Sequence, residues 1–217
     1  MLDFLPRVPR GRPLRFLCIG AHSDDLEIGC AGALLELGAR YPRAHVRFVV
    51  LSAIGERATE ARRSATRLLG RFARTEIVLG GFRDGYFPAT HTAVKDYFEQ
   101  LKKGPVPDVV FTHRLEDRHQ DHRLVAELTW NTWRNHTILE YEIPKYEGDL
   151  GHPNVYLPLK AATARRKVEH LMREFGTQRS KAWFTPDTFQ ALLRLRGIEC
   201  QAPSGFAEAF HARKICI

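Results

Sequence analysis

The sequence predicts an α/β domain built on a mostly parallel sheet, and three observations point to it. Short apolar runs of strand length alternate with amphipathic stretches of helix length along two thirds of the chain. The chain has 217 residues, of which 44% are hydrophobic, so it is long and apolar enough for one large core. No linker, repeat or low-complexity tract divides it. Because alternating strands and helices are joined by right-handed crossovers, we expect a single Rossmann-like domain with helices on both faces.

Five apolar runs are predicted as strands, and four amphipathic stretches as the helices between them. The predicted strands are 14–19, 46–51, 76–79, 108–112 and 138–143. The predicted helices are 26–37, 56–70, 92–103 and 124–133. In the last third, 159–174 and 186–196 have helical periodicity, and 206–210 is a candidate closing strand. We assign residues 1–13, which are rich in Arg and Pro, to a basic N-terminal arm, and 14–217 to the domain.

The composition of the chain indicates where the protein is located but does not identify its ligand. The chain carries 33 Lys and Arg against 25 Asp and Glu, and a net charge of +8 is compatible with nucleic acid, anionic lipid or an acidic small molecule. No stretch is long and apolar enough to cross a bilayer, and the N-terminal segment lacks the apolar core of a signal peptide. The four cysteines show no CxxC spacing, which is typical of reduced thiols. We therefore expect a cytoplasmic protein.

Ionisable residues cluster directly after the first predicted strand. His22, Asp24, Asp25 and Glu27 fall within six residues, where a dinucleotide site would need a glycine fingerprint. One explanation is that Asp24 or Asp25 caps the following helix. The other is a metal site, because adjacent carboxylates repel unless a cation or solvent relieves them. This loop alone leaves both explanations open.

A second cluster follows the fourth predicted strand and favours the metal site. Three histidines and three acidic residues fall within ten positions: His113, Glu116, Asp117, His119, Asp121 and His122. Both clusters lie at the carboxyl ends of parallel strands, where such sheets bind ligands. Neither loop contains cysteine, so a His/Asp/His set with an open position fits better than a closed structural zinc site. A metal that activates water beside a second carboxylate predicts metal-assisted hydrolysis.

These two loops resemble the signatures of a known family. Ala21–Glu27, which reads AHSDDLE, resembles the AH(P/S)DDxE signature of the PIG-L/LmbE family of zinc-dependent N-acetylsugar deacetylases. His119–His122, which reads HQDH, is similar to the second signature, HxDH. Weaker similarities follow at Gly55–Arg57 with Glu60, at 81–85 and at 206–210. The resemblance thus spans residues 14–210 in the expected order.

The resemblance implies a cofactor, a substrate class and residue roles. It implies one Zn²⁺ per chain, held by His22, Asp25 and His122. It makes Asp24 the general base and His119 an electrostatic partner or general acid held by Asp121. Separately from these implied roles, we expect Arg57 to bind substrate. The implied reaction removes acetyl from an N-acetylhexosamine, N-acetylglucosamine-type, unit of a glycoconjugate. The resemblance assigns no role to His113, Asp117 or Glu208.

Six arginines follow the second and fourth predicted strands and bear on the substrate: Arg57, Arg62, Arg63, Arg114, Arg118 and Arg123. Arginine binds carboxylate and phosphate through paired N–H donors, so a shared rim would favour a sugar with an anionic group. The alternative is that these residues lie on solvated helix faces or pair with Glu56, Glu60 and Glu116.

Two other functions fit parts of the sequence. A metal-dependent phosphoesterase also uses Asp and His clusters, but it more often needs two metals and a larger ligand set. A non-enzymatic nucleic-acid-binding domain would suit the basic balance, but no recognition motif is present. The sequence favours a deacetylase of a free, lipid-linked or nucleotide-linked N-acetyl sugar, without a nucleic-acid partner. A homo-oligomer is compatible with it.

Overall fold

The computed structural model describes residues 9–215, so residues 1–8 of the predicted arm, and Cys216, lie outside the described part. The strands are β1 (Arg15–His22), β2 (His45–Ser52), β3 (Arg74–Leu79), β4 (Val109–Thr112), β5 (Thr137–Tyr141), β6 (Val155–Pro158) and β7 (Ala207–His211). The α-helices are α1 (Asp25–Arg40), α2 (Glu56–Leu68), α3 (His91–Lys102), α4 (Gln120–Thr132), α5 (Ala161–Glu174) and α6 (Pro186–Glu199). Short 3-10 helices occupy Pro88–Thr90 and Gly176–Gln178.

The strands form one mixed sheet in the order β3-β2-β1-β4-β5-β7-β6. β1 to β5 run parallel, while β7 is antiparallel to both β5 and β6. This confirms the predicted Rossmann-like, mostly parallel sheet, with the closing strand added at one side. β1 lies centrally and pairs with β2 and β4, so the loops after β1 and β4 emerge side by side.

Two apolar cores, one on each face of the sheet, confirm the predicted three-layer arrangement. Phe16 and Cys18 of β1 belong to the core that also contains residues of α1 and α5, whereas Leu17 and Ile19 belong to the core with residues of α3 and α4. Successive side chains of a strand point to opposite faces, so a strand that is buried on both sides reads as a continuous apolar run.

One strand, β6, is not among the strands predicted from the sequence. β6 has only four residues, of which three are half-buried and one is exposed, and it lies at the edge of the sheet beyond β7. Its sequence, VYLP, is apolar, but a four-residue run that ends in proline is too short to be distinguished from a loop. Its pairing is long-range, since Val155 lies opposite Phe210 and Pro158 opposite Ala207.

The last residues of the predicted arm contact the domain. The Arg12 guanidinium donates to both carboxylate oxygens of Asp108 at 2.6 and 2.8 Å, just before β4. No helix within residues 9–215 combines the length and apolar character that a membrane span requires.

Candidate active site

The two predicted clusters meet because β1 and β4 are neighbours in the sheet. His22 is the last residue of β1 and Asp25 the first of α1, while His122 lies in the first turn of α4, which follows β4. Asp24 occupies the N-cap position of α1, but its side chain makes no capping hydrogen bond. Helix capping therefore does not account for its carboxylate, and the open alternative from the sequence is resolved against the cap.

Three buried side chains bring possible ligand atoms together. Nδ1 of His22 lies 3.1 Å from Nε2 of His122. The two oxygens of Asp25 lie 3.4 Å from the His22 nitrogen and 3.5 Å from the His122 nitrogen. Ligand bonds of 2.0–2.1 Å in a tetrahedral zinc site put neighbouring ligand atoms about 3.3 Å apart. The donor set and its spacing therefore fit a divalent metal such as zinc.

His113 lies behind this set, close to the same carboxylate. Its Nε2 is 3.0 Å from Asp25 Oδ2, and its ring stacks on that of His122 with centroids 3.9 Å apart. Asp25, His113 and His122 are also close enough to share an ion. However, His113 Nε2 accepts a hydrogen bond from the Ala21 N–H at 2.9 Å, which uses the lone pair that a metal would need. We therefore favour His22 over His113 as the third ligand.

A carboxylate lies against the far nitrogen of each candidate imidazole ligand. Asp117 Oδ2 is 3.0 Å from Nδ1 of His122, and Asp121 Oδ2 is 3.1 Å from Nε2 of His22. Such partners fix the orientation and tautomer of ligating histidines and raise their basicity. Burial, aided by His113, lowers the pKa of His122 to about 4, so this imidazole is neutral and able to bind a metal at neutral pH.

The position of Asp121 corrects one sequence-based expectation. The sequence placed its carboxylate beside His119, but the carboxylate contacts His22. The reason is a contact with a distant segment: the backbone N–H groups of Gly85 and Phe87 donate to this carboxylate at 2.6 and 3.1 Å and hold it toward the loop after β3. Only the backbone N–H of Asp121 reaches His119, at 3.3 Å from Nδ1.

Asp24 lies buried beside the candidate ligands and pairs with Arg57. The guanidinium Nη2 is 2.5 Å from Asp24 Oδ1. Burial raises the pKa of Asp24, although the charge of Arg57 opposes the shift. A carboxylate with a raised pKa is a better proton acceptor than an ordinary aspartate. Arg57, which the sequence expected to bind substrate, thus contacts the candidate base directly.

The site also contains a carboxylate that the sequence does not single out as a site residue. Asp84, in the loop after β3, has a half-exposed side chain whose two oxygens lie 3.0 Å from Nε2 of His22 and 3.4 Å from Arg57 Nη1. Two features of the sequence could have identified Asp84 as a site residue. It lies in the stretch 81–85, which is weakly similar to the family, and it follows the carboxyl end of a third parallel strand.

The six arginines do not form a common rim. Arg63 pairs with Glu174, Arg114 with Glu116 and the Asp149 carbonyl, and Arg123 with the carbonyls of Asp117 and Arg118. Arg57 alone of the six contacts the candidate site residues Asp24 and Asp84 in the described part of the chain. The expectation of pairing is met for Arg114 and Glu116. Arg63 instead pairs with Glu174, which is distant in sequence, and Arg123 donates to backbone carbonyls just before α4.

A family model described as PIG-L, GlcNAc-PI de-N-acetylase, matches residues 17–133, which is more than half of the chain. The chain belongs to the PIG-L family. A protein of Escherichia coli K12 described as uncharacterized deacetylase YaiS is 31% identical over an alignment of 144 residues, and the match covers 59% of this chain and 73% of that protein. The family and this relative support a deacetylase-family activity for this PIG-L protein.

Solved structures share the fold of this PIG-L protein at low sequence identity. N,N'-diacetylchitobiose deacetylase from Pyrococcus horikoshii is 18% identical with a TM-score of 0.64, and the match covers 91% of this chain and 83% of that one. The teicoplanin deacetylase Orf2 is 13% identical with a TM-score of 0.70, covering 91% and 97%. GalB, the 4-carboxy-2-hydroxymuconate hydratase from Pseudomonas putida KT2440, is 16% identical with a TM-score of 0.71, covering 94% and 98%. The fold is therefore shared by deacetylases and a hydratase.

Proposed function

We propose that the protein is a zinc-dependent hydrolase that removes the acetyl group from an N-acetylglucosamine-type unit of a glycoconjugate. The observation that carries this proposal is the spacing of 3.1–3.5 Å among the ligand atoms of His22, Asp25 and His122, beside a further buried carboxylate, Asp24. Membership of the PIG-L family supports the acetamide as the bond that is broken.

His22, Asp25 and His122 would hold one zinc ion per chain. When bound, zinc lowers the pKa of water and polarises a carbonyl oxygen. Three protein ligands leave a position open, which is the arrangement of catalytic rather than structural zinc sites. Asp117 and Asp121 hold the two imidazoles by their opposite nitrogens.

Asp24 accepts the proton of the attacking water in this proposal. Its raised pKa suits a general base, and Arg57 at 2.5 Å fixes the direction of its carboxylate. The proton taken from water is then available to the departing amine, which leaves as the free amino sugar while the acyl carbon becomes acetate. We assign the contact with the sugar to Arg57 and the half-exposed Asp84, which lie 3.4 Å from each other beside Asp24.

His119 stabilises negative charge that develops on the acetyl oxygen. It is the N-cap residue of α4, and its ring lies 4.9 Å from that of His22 and 4.4 Å from that of His122, centroid to centroid. Its Nδ1 accepts the Asp121 N–H, which leaves the proton of a neutral imidazole on Nε2. Burial lowers the pKa of His119, so we favour a neutral hydrogen-bond donor over a protonated general acid.

Metal analysis and acetate release test the proposal together. Purified protein is expected to contain about one zinc ion per chain and to release acetate from at least one conjugate in a panel of free, nucleotide-linked and lipid-linked N-acetylglucosamine. Asp24→Asn should keep the zinc, because Asp24 is not a ligand, and lose turnover by on the order of a hundredfold or more.

Two results would contradict the proposal. One is full zinc occupancy with no acetate released from any member of the panel, which would direct attention to another reaction on the same fold. The other is near-normal turnover by Asp24→Asn, which would remove Asp24 as the base.

A further inference from the structure

Helix α2 faces the protein with polar residues rather than with large apolar ones. Arg57, Glu60 and Ser64 follow one another at helical spacing and share its inner side. The buried apolar residues of α2 are Ala61, Ala65 and Leu68, of which two are small. Because small side chains interdigitate little with a neighbouring helix, directional polar contacts must set the position of α2.

Each of the three polar residues has a buried or half-buried partner on a different segment. Arg57 contacts Asp24 at the start of α1. Glu60 accepts hydrogen bonds from the backbone N–H and the hydroxyl of Thr177, at 3.0 and 2.6 Å. The Ser64 hydroxyl donates to Glu27 Oε1 in the first turns of α1 and lies 2.7 Å from His170 Nε2 on α5.

The Glu27–Ser64–His170 chain is sealed inside the protein. Glu27 and Ser64 have no exposed surface, and His170 is 5% exposed. The serine stands between the carboxylate and the imidazole, whereas a nucleophilic serine needs the imidazole in the middle and access to substrate. The chain is therefore not a second hydrolytic site. The chain joins α1, α2 and α5. Asp24 is the N-cap residue of α1, and Arg57 lies in the first turn of α2.

Two polar contacts, Arg57–Asp24 and Ser64–Glu27, join α1 and α2 at two separate points. Asp24 and Glu27 are three residues apart on one helix, and Arg57 and Ser64 are seven residues apart on the other, about 10 Å along its axis. With both contacts in place, α2 has a fixed distance and a fixed tilt relative to α1. If the Ser64 contact is lost, Glu60 and Arg63 still bind α2 to Thr177 and Glu174. The polar link between α1 and α2 then rests on the Arg57–Asp24 pair, about which the first turn of α2 can shift. Glu27 would then have no partner for either oxygen, because Oε2 already lacks one among the described residues.

We propose that the buried Glu27–Ser64–His170 chain positions the first turn of α2, so that Ser64 acts through Arg57 to orient the Asp24 carboxylate. Ser64 is on this view a positioning residue. The inference rests on the proposed function in one respect, namely that Asp24 is the base.

The test compares Ser64→Ala with Thr66→Ala, a matched loss of a hydroxyl on the same helix. Thr66 is exposed, and its hydroxyl donates only to the Arg62 carbonyl, at 2.8 Å. We expect Ser64→Ala to lower kcat by about ten- to hundredfold with little change in KM or zinc content, and Thr66→Ala to match the parent. In an Arg57→Ala background, Ser64→Ala should cause no further loss, because its effect passes through Arg57.

A second variant and a pair of crystal structures test the same proposal independently of the Ser64→Ala kinetics. His170→Ala removes the outer member of the chain and leaves the Ser64–Glu27 contact, so kcat should fall in the same direction by a smaller factor. Crystal structures of the parent and of Ser64→Ala should show the Arg57–Asp24 contact lengthened or broken in the variant.

Three results would overturn the proposal: parental kcat in both variants, fully additive losses with Arg57→Ala, or an unchanged Arg57–Asp24 contact in the Ser64→Ala crystal. If the parent releases no acetate from any conjugate, the proposed function fails, while the crystal comparison still decides whether Ser64 positions Arg57.

Discussion

Two mostly buried polar clusters contact α1, one at its first residues and the other near its middle, and their charges are balanced in opposite ways. The paired-charge cluster consists of Lys167 with Glu208 and Arg196 with Glu142. The carboxylate–imidazole cluster is the candidate active site, with Asp24, Asp25, Asp84, Asp117 and Asp121 around His22, His113, His119 and His122. Burial removes water from most of these groups, so each must find another partner.

In the paired-charge cluster every charge meets its opposite. Lys167 Nζ lies 2.6 Å from Glu208 Oε1, and the Arg196 guanidinium donates to both oxygens of Glu142 at 2.8 and 2.6 Å. Glu208 also accepts from the backbone N–H groups of Gly32 and Ala33 in α1, at 2.7 and 2.6 Å. This gives Glu208, which the sequence analysis left without a role, the task of fastening β7 to the middle of α1.

In the carboxylate–imidazole cluster, charges of one sign crowd together. Among the described residues, its five carboxylates form ion pairs with only two Lys or Arg side chains, Arg57 and Lys145. Burial lowers the pKa of His22, but Asp25, Asp121 and Asp84 outweigh burial and raise it, so three carboxylates share this one imidazole as their cation. The imidazole of His122 is held neutral by burial, so it supplies no positive charge at neutral pH. Buried charges that are not balanced by the protein are unfavourable unless a cation binds. Both clusters are mostly buried and rich in charged residues, so these two properties do not distinguish the candidate metal site. What distinguishes it is that its carboxylates lack enough cationic side chains to balance them.

The largest expected effect comes from removing a candidate ligand. His122→Ala leaves two protein ligands, so the variant should bind less than a tenth of the parental zinc and lose activity by about a thousandfold or more. Zinc should raise the melting temperature of the parent and not that of the variant, because only the parent retains the site. Elemental analysis, acetate assays and melting curves with and without chelator measure these effects.

Full zinc occupancy in His122→Ala would contradict the conclusion that the carboxylate–imidazole cluster is the metal site. The cation would then bind elsewhere, and the crowded carboxylates would need another explanation.

The next largest effect is expected in the paired-charge cluster, and it is on stability rather than on metal. Lys167→Met leaves the Glu208 carboxylate buried without its cation, which should lower the free energy of unfolding by about 3–5 kcal/mol. Zinc content per folded chain should stay at the parental value, since Lys167 contacts Glu208 and the Ile28 carbonyl rather than a ligand. Urea unfolding monitored by circular dichroism gives the first quantity and elemental analysis the second.

Lys160→Met is the matched control, because Lys160 lies at the start of the same helix with a side chain that is 78% exposed. It should change the unfolding free energy by less than about 0.5 kcal/mol. Equal stabilities of the Lys167 and Lys160 variants would show that the buried pair does not hold the fold together.

The sequence predicted most of the sheet and both loops of the site because these signals are local. β1 and β2 read as continuous apolar runs, and the histidines and aspartates that meet in the site stand in two short stretches, 22–25 and 113–122. Their meeting required only that β1 and β4 be adjacent, which the fold class supplies.

What the sequence missed depends on contacts between distant segments. Asp84 reaches His22 only because the loop after β3 folds back over the end of β1. Asp121 turns to His22 because the Gly85 and Phe87 N–H groups attract it. Likewise, the partner of Ser64 on α5, His170, is 106 residues away in sequence. No periodicity or spacing encodes such contacts.

The smallest expected effect concerns Asp117, which belongs to the crowded cluster yet is not a candidate ligand. It accepts from Nδ1 of His122 at 3.0 Å and lies 3.1 Å from Lys145 Nζ. Asp117→Asn preserves the shape of the side chain but removes its charge, so His122 should become less basic and zinc affinity should fall by about 10- to 100-fold. Competition with a chromogenic chelator measures the dissociation constant.

Asp149→Asn provides the control for that measurement. Asp149 pairs with the same Lys145, at 2.6 Å, but touches none of the three candidate ligands in the described chain. It should leave zinc affinity within about twofold, because the effect on the metal requires contact with a ligand. If Asp117→Asn also left the affinity unchanged, Asp117 would belong with the paired charges that stabilise the fold. The boundary between the two clusters would then run between Asp117 and His122, with the ligands, Asp24, His119 and Asp121 on the catalytic side.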